Sequence, residues 1–148
     1  MATIKYAAPN SIETVFTTGL NNLANDGVAV SANVSNDATE ELYLYADFEI
    51  YLATQGSARS AGAHVEIYII QEIDGTNYSY GGTGLPPNAA LKVGNFAYDA
   101  AVTARYTHIR GVKLPPADFE VVLINRTGQA FAASGNTLKM VRYNLQSA

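Results

Sequence analysis

The chain contains no cysteine and no tryptophan, and charged residues make up only 15% of its 148 residues. The absence of cysteine excludes disulfides, thiolate metal sites and cysteine nucleophiles. Nine Lys and Arg residues against thirteen Asp and Glu give a net charge of -4. The cations are spread out rather than clustered, which argues against a nucleic-acid partner. No stretch has the apolar length of a membrane span or of a signal-peptide core, so we expect no membrane partner.

The residues that are present favour a folded domain with a weakly charged surface. Apolar residues make up 48% of the chain, which is enough for a sizeable core in one domain. Because charged residues are few, the surface must consist largely of small polar residues and tyrosine. Such a surface suits a protein that is covered by neighbours.

The most regular stretch is residues 42–54, with the sequence LYLYADFEIYLAT. Aliphatic side chains and Phe48 occupy the even positions, whereas tyrosines and carboxylates occupy the odd ones. A period of two indicates a β-strand with one apolar and one polar face. The residues expected on the polar face are Tyr43, Tyr45, Asp47, Glu49 and Tyr51.

Further short strands are predicted along the chain, at residues 28–34, 63–73, 90–98, 105–113, 119–125 and 137–143. Residues 119–125 are apolar on both faces, so we expect that strand to lie centrally with both sides covered. Turn-forming residues separate the strands, for example at 74–77, and no long helical pattern occurs. The sequence therefore predicts an all-β protein, an antiparallel two-sheet sandwich of jelly-roll type. We expect an extended N-terminal arm at residues 1–10 and a single β-sandwich domain at residues 11–148.

The candidate catalytic and metal-binding residues give weak signals. His64 and Glu66 share the polar face of one predicted strand, but two ligands at this spacing arise easily by chance. Asp47 and Glu49 form a carboxylate pair of the kind that glycosidases use, yet a solvated strand face produces such pairs more often. No nucleophile elbow of the G-x-S-x-G kind occurs. We therefore predict a protein that is not an enzyme and that holds no metal or cofactor.

Tyrosines are the better indication of function. Tyr43, Tyr45 and Tyr51 share the polar face of one predicted strand, and Tyr68 has the same orientation on the next. If those strands share a sheet, the four side chains form an aromatic and acidic patch. Such a patch suits contact with another subunit, cover by the N-terminal arm, or a sugar. Ile4 and Tyr6 are the large apolar residues of the arm, and we predict that they contact a partner together with the four tyrosines.

Several short motifs resemble those of small structural proteins of tailed bacteriophages. The motifs are LNNLA at 20–24, SNDAT at 35–39 leading into LYLYA at 42–46, DGTNY at 74–78, and NRTGQA at 125–130. Together they span roughly residues 12–143. Similar β-sandwich proteins serve as head decoration or cement subunits.

This resemblance implies a virion structural protein, made in the host cytoplasm, that stabilises a capsid by covering its surface. Its partners would be the major capsid protein and copies of itself, as a dimer or trimer. The alternative hypothesis is a carbohydrate-binding or host-adhesion β-sandwich module, for example one associated with a phage tail. The absence of tryptophan argues against this alternative, because sugar-binding platforms commonly use it.

Overall fold

The structure is a computed structural model that describes residues 3–37, 42–73 and 87–147. These residues form ten β-strands and a short 3-10 helix at Ala89–Leu91. The strands are β1 (Ile4–Tyr6), β2 (Glu13–Phe16), β3 (Val28–Val30), β4 (Tyr45–Leu52), β5 (His64–Gln71), β6 (Lys92–Ala97), β7 (Arg105–Lys113), β8 (Phe119–Arg126), β9 (Thr137–Tyr143) and β10 (Leu145–Ser147). The turn predicted at residues 74–77 lies outside the described residues.

Eight of these strands form two four-stranded antiparallel sheets. Sheet 1 has the order β2-β9-β4-β7, and sheet 2 has the order β3-β8-β5-β6. Successive strands alternate between the sheets, except for the neighbours β5 and β6. This connectivity defines a jelly roll. The predicted all-β, two-sheet jelly-roll fold is therefore confirmed.

The hydrophobic core lies between the two sheets. Sheet 1 contributes Phe48, Ile50 and Leu52 from β4, and each is at most 1% exposed. Sheet 2 contributes Val65 and Ile67 from β5, which are fully buried. Each large apolar side chain buried in this way contributes roughly 1.5–3 kcal/mol as an upper estimate. Because burial alternates along residues 45–52, the opposite side chains of β4 form the outer face of sheet 1.

The strand predicted at residues 42–54 begins at Tyr45, and its predicted pattern is wrong before that point. Leu42 and Leu44 are 41% and 47% exposed, while Tyr43 packs against the core. The side chain of Asn36 causes this change. Its amide accepts a hydrogen bond from the Tyr43 N–H at 3.0 Å and donates one to the Tyr43 carbonyl at 3.1 Å. Tyr43 also lies beneath the guanidinium of Arg142, which is 4.7 Å from the ring centroid.

Tyr68 does not share a surface with the tyrosines of β4, because β5 lies in the opposite sheet. Its side chain is 4% exposed and packs with Ile70, Val122 and Ile124 on the outer side of sheet 2. The predicted four-tyrosine patch is therefore wrong. The same cluster covers the outer face of β8, which lies between β3 and β5.

The N-terminal segment that the structure describes lies beside the C-terminal strands. Strand β1 pairs antiparallel with β10, and the Ala7 and Asn10 N–H groups donate to the carbonyls of Asn144 and Arg142, both at 2.8 Å. The side chains of Ile4 and Tyr6 nevertheless stay 72% and 71% exposed. Residues 3–12 therefore form an extended segment beside sheet 1, which we call the arm. Within the described residues, no helix is long and apolar enough to cross a membrane.

Candidate functional site

A groove of about 820 Å³ lies on the outer face of sheet 1, where the arm forms one wall. Its floor comes from β4, β7 and β9. The residues that line it are Tyr6, Ala7, Pro9, Ile12, Asp47, Phe48, Glu49, His108, Arg110, Gly111, Lys139, Met140, Val141 and Tyr143. A volume of this size is within the range of roughly 300–1,000 Å³ that is usual for small-molecule sites.

Strand pairing determines which polar side chains meet in the groove. β4 lies between β9 and β7, and Glu49 stands opposite Lys139 on one side and His108 on the other. Directly opposite residues of antiparallel strands point to the same face. A carboxylate, an ammonium group and an imidazole therefore share the floor of the groove.

Asp47 is held in one orientation by two hydrogen bonds to the same oxygen. Its Oδ1 accepts from the Gly111 N–H at 2.8 Å and from the Tyr143 hydroxyl at 3.2 Å. Gly111 belongs to an irregularity in the pairing of β4 with β7, and its φ of 67° lies in the left-handed region that favours glycine. Burial and the charge of Asp47 raise the pKa of Tyr143, so the phenol stays protonated and donates.

Tyrosines stand at both ends of this polar floor. At one end, the ring of Tyr143 lies 5.5 Å from that of Tyr6, edge to face, and 5.8 Å from that of Tyr45, stacked. At the other end, Tyr51 and Tyr106 are opposite each other across β4 and β7, with ring centroids 4.4 Å apart. Tyr106 is 64% exposed. The outer face of sheet 1 thus places aromatic surface on either side of hydrogen-bonding groups.

The structure brings together only some of the residues that the sequence singled out. Tyr45, Tyr51 and Tyr6 lie on or beside the outer face of sheet 1. Ile4 is exposed on the same arm but does not line the groove, and Tyr43 and Tyr68 are packed elsewhere.

The sequence interpretation did not assign to this site the residues that other strands supply, namely Tyr106, His108, Lys139 and Tyr143. Alternation within β7 and β9 places these four residues on the polar faces of their strands. Only the strand order shows that those faces adjoin the polar face of β4.

The His64 and Glu66 pair lies on the outer side of sheet 2. His64 Nε2 is 4.0 Å from Glu66 Oε1, but the carboxylate of Glu66 already accepts hydrogen bonds from Lys92, Tyr68 and Arg126. Burial alone would raise the pKa of Glu66, but these hydrogen bonds outweigh it and hold the pKa below its usual value of 4.5. Among the described residues, no group of three or more His, Cys, Asp or Glu could hold a metal ion.

No protein-family model and no curated protein matches this chain. Three similar solved structures are all distant. The CBM36-1 domain of a multidomain xylanase from the hindgut metagenome of Trinervitermes trinervoides is 12% identical, with a TM-score of 0.44 and coverage of 100% of this chain and 97% of that chain. The carbohydrate-binding module CBM36 in complex with calcium and xylotriose is 11% identical, with a TM-score of 0.39 and coverage of 98% and 93%.

The third is the enzymatically active domain of tailspike protein 4 of bacteriophage CBA120. It is 12% identical, with a TM-score of 0.36, and the match covers 98% of this chain and 18% of that chain. Likenesses this distant carry no argument about function. None of the three is a head decoration protein, so the resemblance to phage decoration proteins stays a prediction.

Proposed function

We propose that the chain is a non-enzymatic carbohydrate-binding or host-adhesion module that holds a saccharide in the groove of sheet 1. The observation that carries this proposal is the pair of tyrosine groups on one outward face, with Asp47, Glu49 and Lys139 between them. A saccharide presents apolar ring faces and a rim of hydroxyls. Aromatic rings can pack against the former, while charged and polar side chains hydrogen-bond the latter.

Fixed side chains support binding in this groove. Asp47 is oriented by Gly111 and Tyr143, and Tyr143 is held between Tyr6 and Tyr45. Groups that are already ordered lose little conformational entropy when a ligand arrives. Tyrosine also offers a large contact area with few rotatable bonds.

The arm provides a matched pair of variants that tests the proposal. Tyr6 and Ile4 lie two residues apart on β1 and are equally exposed, but only Tyr6 lines the groove. We expect Tyr6→Ala to weaken saccharide binding about twofold to tenfold, as the loss of one aromatic contact of roughly 0.5–1.5 kcal/mol implies. Ile4→Ala should bind as the wild type does. A glycan array identifies the ligand, and isothermal titration calorimetry then compares the three proteins.

Two results would contradict this proposal. The first is the absence of binding on an array that covers neutral and acidic glycans. The second is equal weakening by Tyr6→Ala and Ile4→Ala, because Ile4 does not line the groove. Both side chains are exposed, so neither substitution removes packing from the core.

A second candidate function, a virion structural subunit of the decoration or cement type, is favoured by a different observation. Large apolar side chains are exposed along the arm and its partner strand: Ile4 at 72%, Tyr6 at 71%, Ile12 at 68% and Leu145 at 39%. Exposed apolar groups of this kind suit burial against a neighbouring subunit. In this function, Ile4→Ala and Tyr6→Ala would both weaken association with capsids in a co-sedimentation assay. Unchanged co-sedimentation of both variants would argue against it.

A further inference from the structure

The cations of this chain fall into two groups according to whether they have an acidic partner. Five of the nine are in ion pairs outside the groove. These are Arg59 and Arg105 with Asp99, Lys92 with Glu66, Arg126 with Glu66 and Asp26, and Arg142 with Glu13. Among the described residues, Lys5, Arg110, Lys113 and Lys139 form no ion pair with a carboxylate.

These four cations gather on one side of the molecule. Arg110 and Lys139 line the groove from β7 and β9, on either side of β4. Lys113 stands opposite Tyr45, at the end of the groove where Tyr143 contacts Tyr6 and Tyr45. Lys5 belongs to the arm, and residues 3–12 contain no Asp or Glu. Basic groups for which the described residues provide no ion pair therefore border the groove on both sides and at one end.

The local charge of this face differs in sign from that of the whole chain. Its three cations, Arg110, Lys113 and Lys139, exceed its two carboxylates, Asp47 and Glu49, by one. Because the whole chain has a net charge of -4, the remainder carries -5. One of the two carboxylates, Asp47, already accepts hydrogen bonds from Gly111 and Tyr143. A positive surface on an acidic protein attracts an anion and orients its approach.

We propose that the saccharide of this groove is acidic, a carboxylate-bearing oligosaccharide of the uronic-acid type, an inference that rests on the proposed carbohydrate binding. Arg110 presents a planar guanidinium that matches a carboxylate with two parallel hydrogen bonds. Lys139 supplies a second positive charge on the opposite side of β4. The rings of Tyr6 and Tyr143 take the apolar face of a sugar unit, and Glu49 accepts hydrogen bonds from its hydroxyls.

Methyl esterification provides a ligand control, because it removes the charge of a uronic acid and leaves the sugar backbone unchanged. The probes are polygalacturonate, alginate and hyaluronan, each as the free acid and as the methyl ester, together with neutral polysaccharides, in affinity electrophoresis of the full chain. We expect at least one acidic polymer to retard the protein, its ester to do so at least about tenfold more weakly, and retardation to fall as salt is added.

Three charge variants identify the residues responsible. Arg110→Gln and Lys139→Gln should each weaken binding of the retained acidic polymer about tenfold or more, the usual loss for a hydrogen bond to a charged group. Arg105→Gln makes the same charge change on the same strand as Arg110, but its side chain is paired with Asp99 and does not line the groove. This control should bind like the wild type.

Each outcome supports or overturns the inference. Equal retardation by an acid and its ester, or binding of neutral polymers alone, overturns the acidic ligand and leaves carbohydrate binding in place. Failure to bind any polysaccharide overturns both. A loss in Arg105→Gln equal to that in Arg110→Gln shows general attraction of a polyanion, which also overturns the proposed site.

Discussion

The turn after β8 sets a strict steric limit at a single residue. Gly128 has a φ of 80°, and its N–H donates to the Asn25 side chain at 2.8 Å. A Cβ atom at this position would collide with the hydroxyl of Ser60 and lie 2.8 Å from the Ser60 Cβ. Ser60 cannot easily withdraw, because its N–H donates to the Thr127 carbonyl at 2.8 Å.

We predict that Gly128→Ala lowers the free energy of unfolding by about 2–5 kcal/mol, the sum of a left-handed non-glycine residue and an overpacked contact. Gly62→Ala is the matched control, because Gly62 has a φ of 76° but no atom within 4 Å of the added Cβ. Its loss should be only about 1–2 kcal/mol. Urea denaturation of both variants gives the comparison. Equal losses would show that Ser60 moves aside at no cost.

Three buried asparagine side chains join segments that are distant in the sequence. Asn36, Asn125 and Asn136 are each 0% exposed. Asn125 donates to the carbonyls of Leu23, Ala24 and Gln129, and it accepts from both the N–H and the hydroxyl of Thr127. A buried amide with these partners replaces the backbone pairing that loops lack. The sequence could not identify this role, because an asparagine in a turn-rich segment looks the same whether it is exposed or buried.

Strand β4 shows what a local sequence pattern can predict and what it cannot. From Tyr45 to Leu52 the alternation correctly predicts which side chains are buried, because a strand places successive residues on opposite faces regardless of its partners. The pattern fails at Tyr43, where Asn36 binds the backbone from another segment. The pattern also cannot say that β4 and β5 belong to different sheets. For that reason the pattern wrongly places Tyr68 beside the tyrosines of β4. It also does not show that Tyr143 lies next to Tyr45, because that depends on the pairing of β4 with β9.

The outer face of sheet 2 carries a carboxylate whose contribution to stability depends on pH. Glu66 on β5 accepts hydrogen bonds from Lys92 of β6 and Arg126 of β8, and its side chain is 13% exposed. Because its pKa is lowered on folding, its stabilising contribution is complete above its usual value of 4.5 and is lost as pH falls through the folded-state pKa. Burial and the charge of Glu72 raise the pKa of Glu120. Protonation of Glu120 at low pH therefore favours the folded state, whereas protonation of Glu66 disfavours it.

We predict that Glu66→Gln lowers the free energy of unfolding near neutral pH by roughly 1.5–3 kcal/mol, the value of hydrogen bonds to a charged group. The difference from the wild type should shrink as pH falls below 4.5 and through the lowered pKa of Glu66, because the wild-type carboxylate then takes up a proton. Urea denaturation at several pH values measures this difference. Since Glu120 is present in both proteins, its contribution cancels. A difference that stays constant with pH would contradict the assignment to Glu66.

On the scale of the whole molecule, the groove depends on two parts of unequal stability. Sheet 1 supplies the floor from strands that bury one face in the core. The arm supplies one wall, and its β1 strand is exposed throughout and paired only with β10. A two-stranded ribbon of this kind has little stability of its own. The groove therefore combines a fixed floor with a wall that contributes little to folding.

We predict that deleting residues 2–9 lowers the melting temperature by less than about 5 °C, since roughly 1 kcal/mol corresponds to about 2–4 °C in a chain of this size. The same deletion should reduce saccharide binding more than Tyr6→Ala alone, because Ala7 and Pro9 also leave the wall. Calorimetric melting and titration of the same preparation separate the two effects. The substitution Ile4→Ala serves as the control for changes in the arm that spare the groove. A much larger fall in melting temperature would show that the arm belongs to the core fold. Binding by the deletion variant equal to that of the wild type would show that the arm is not part of the binding site.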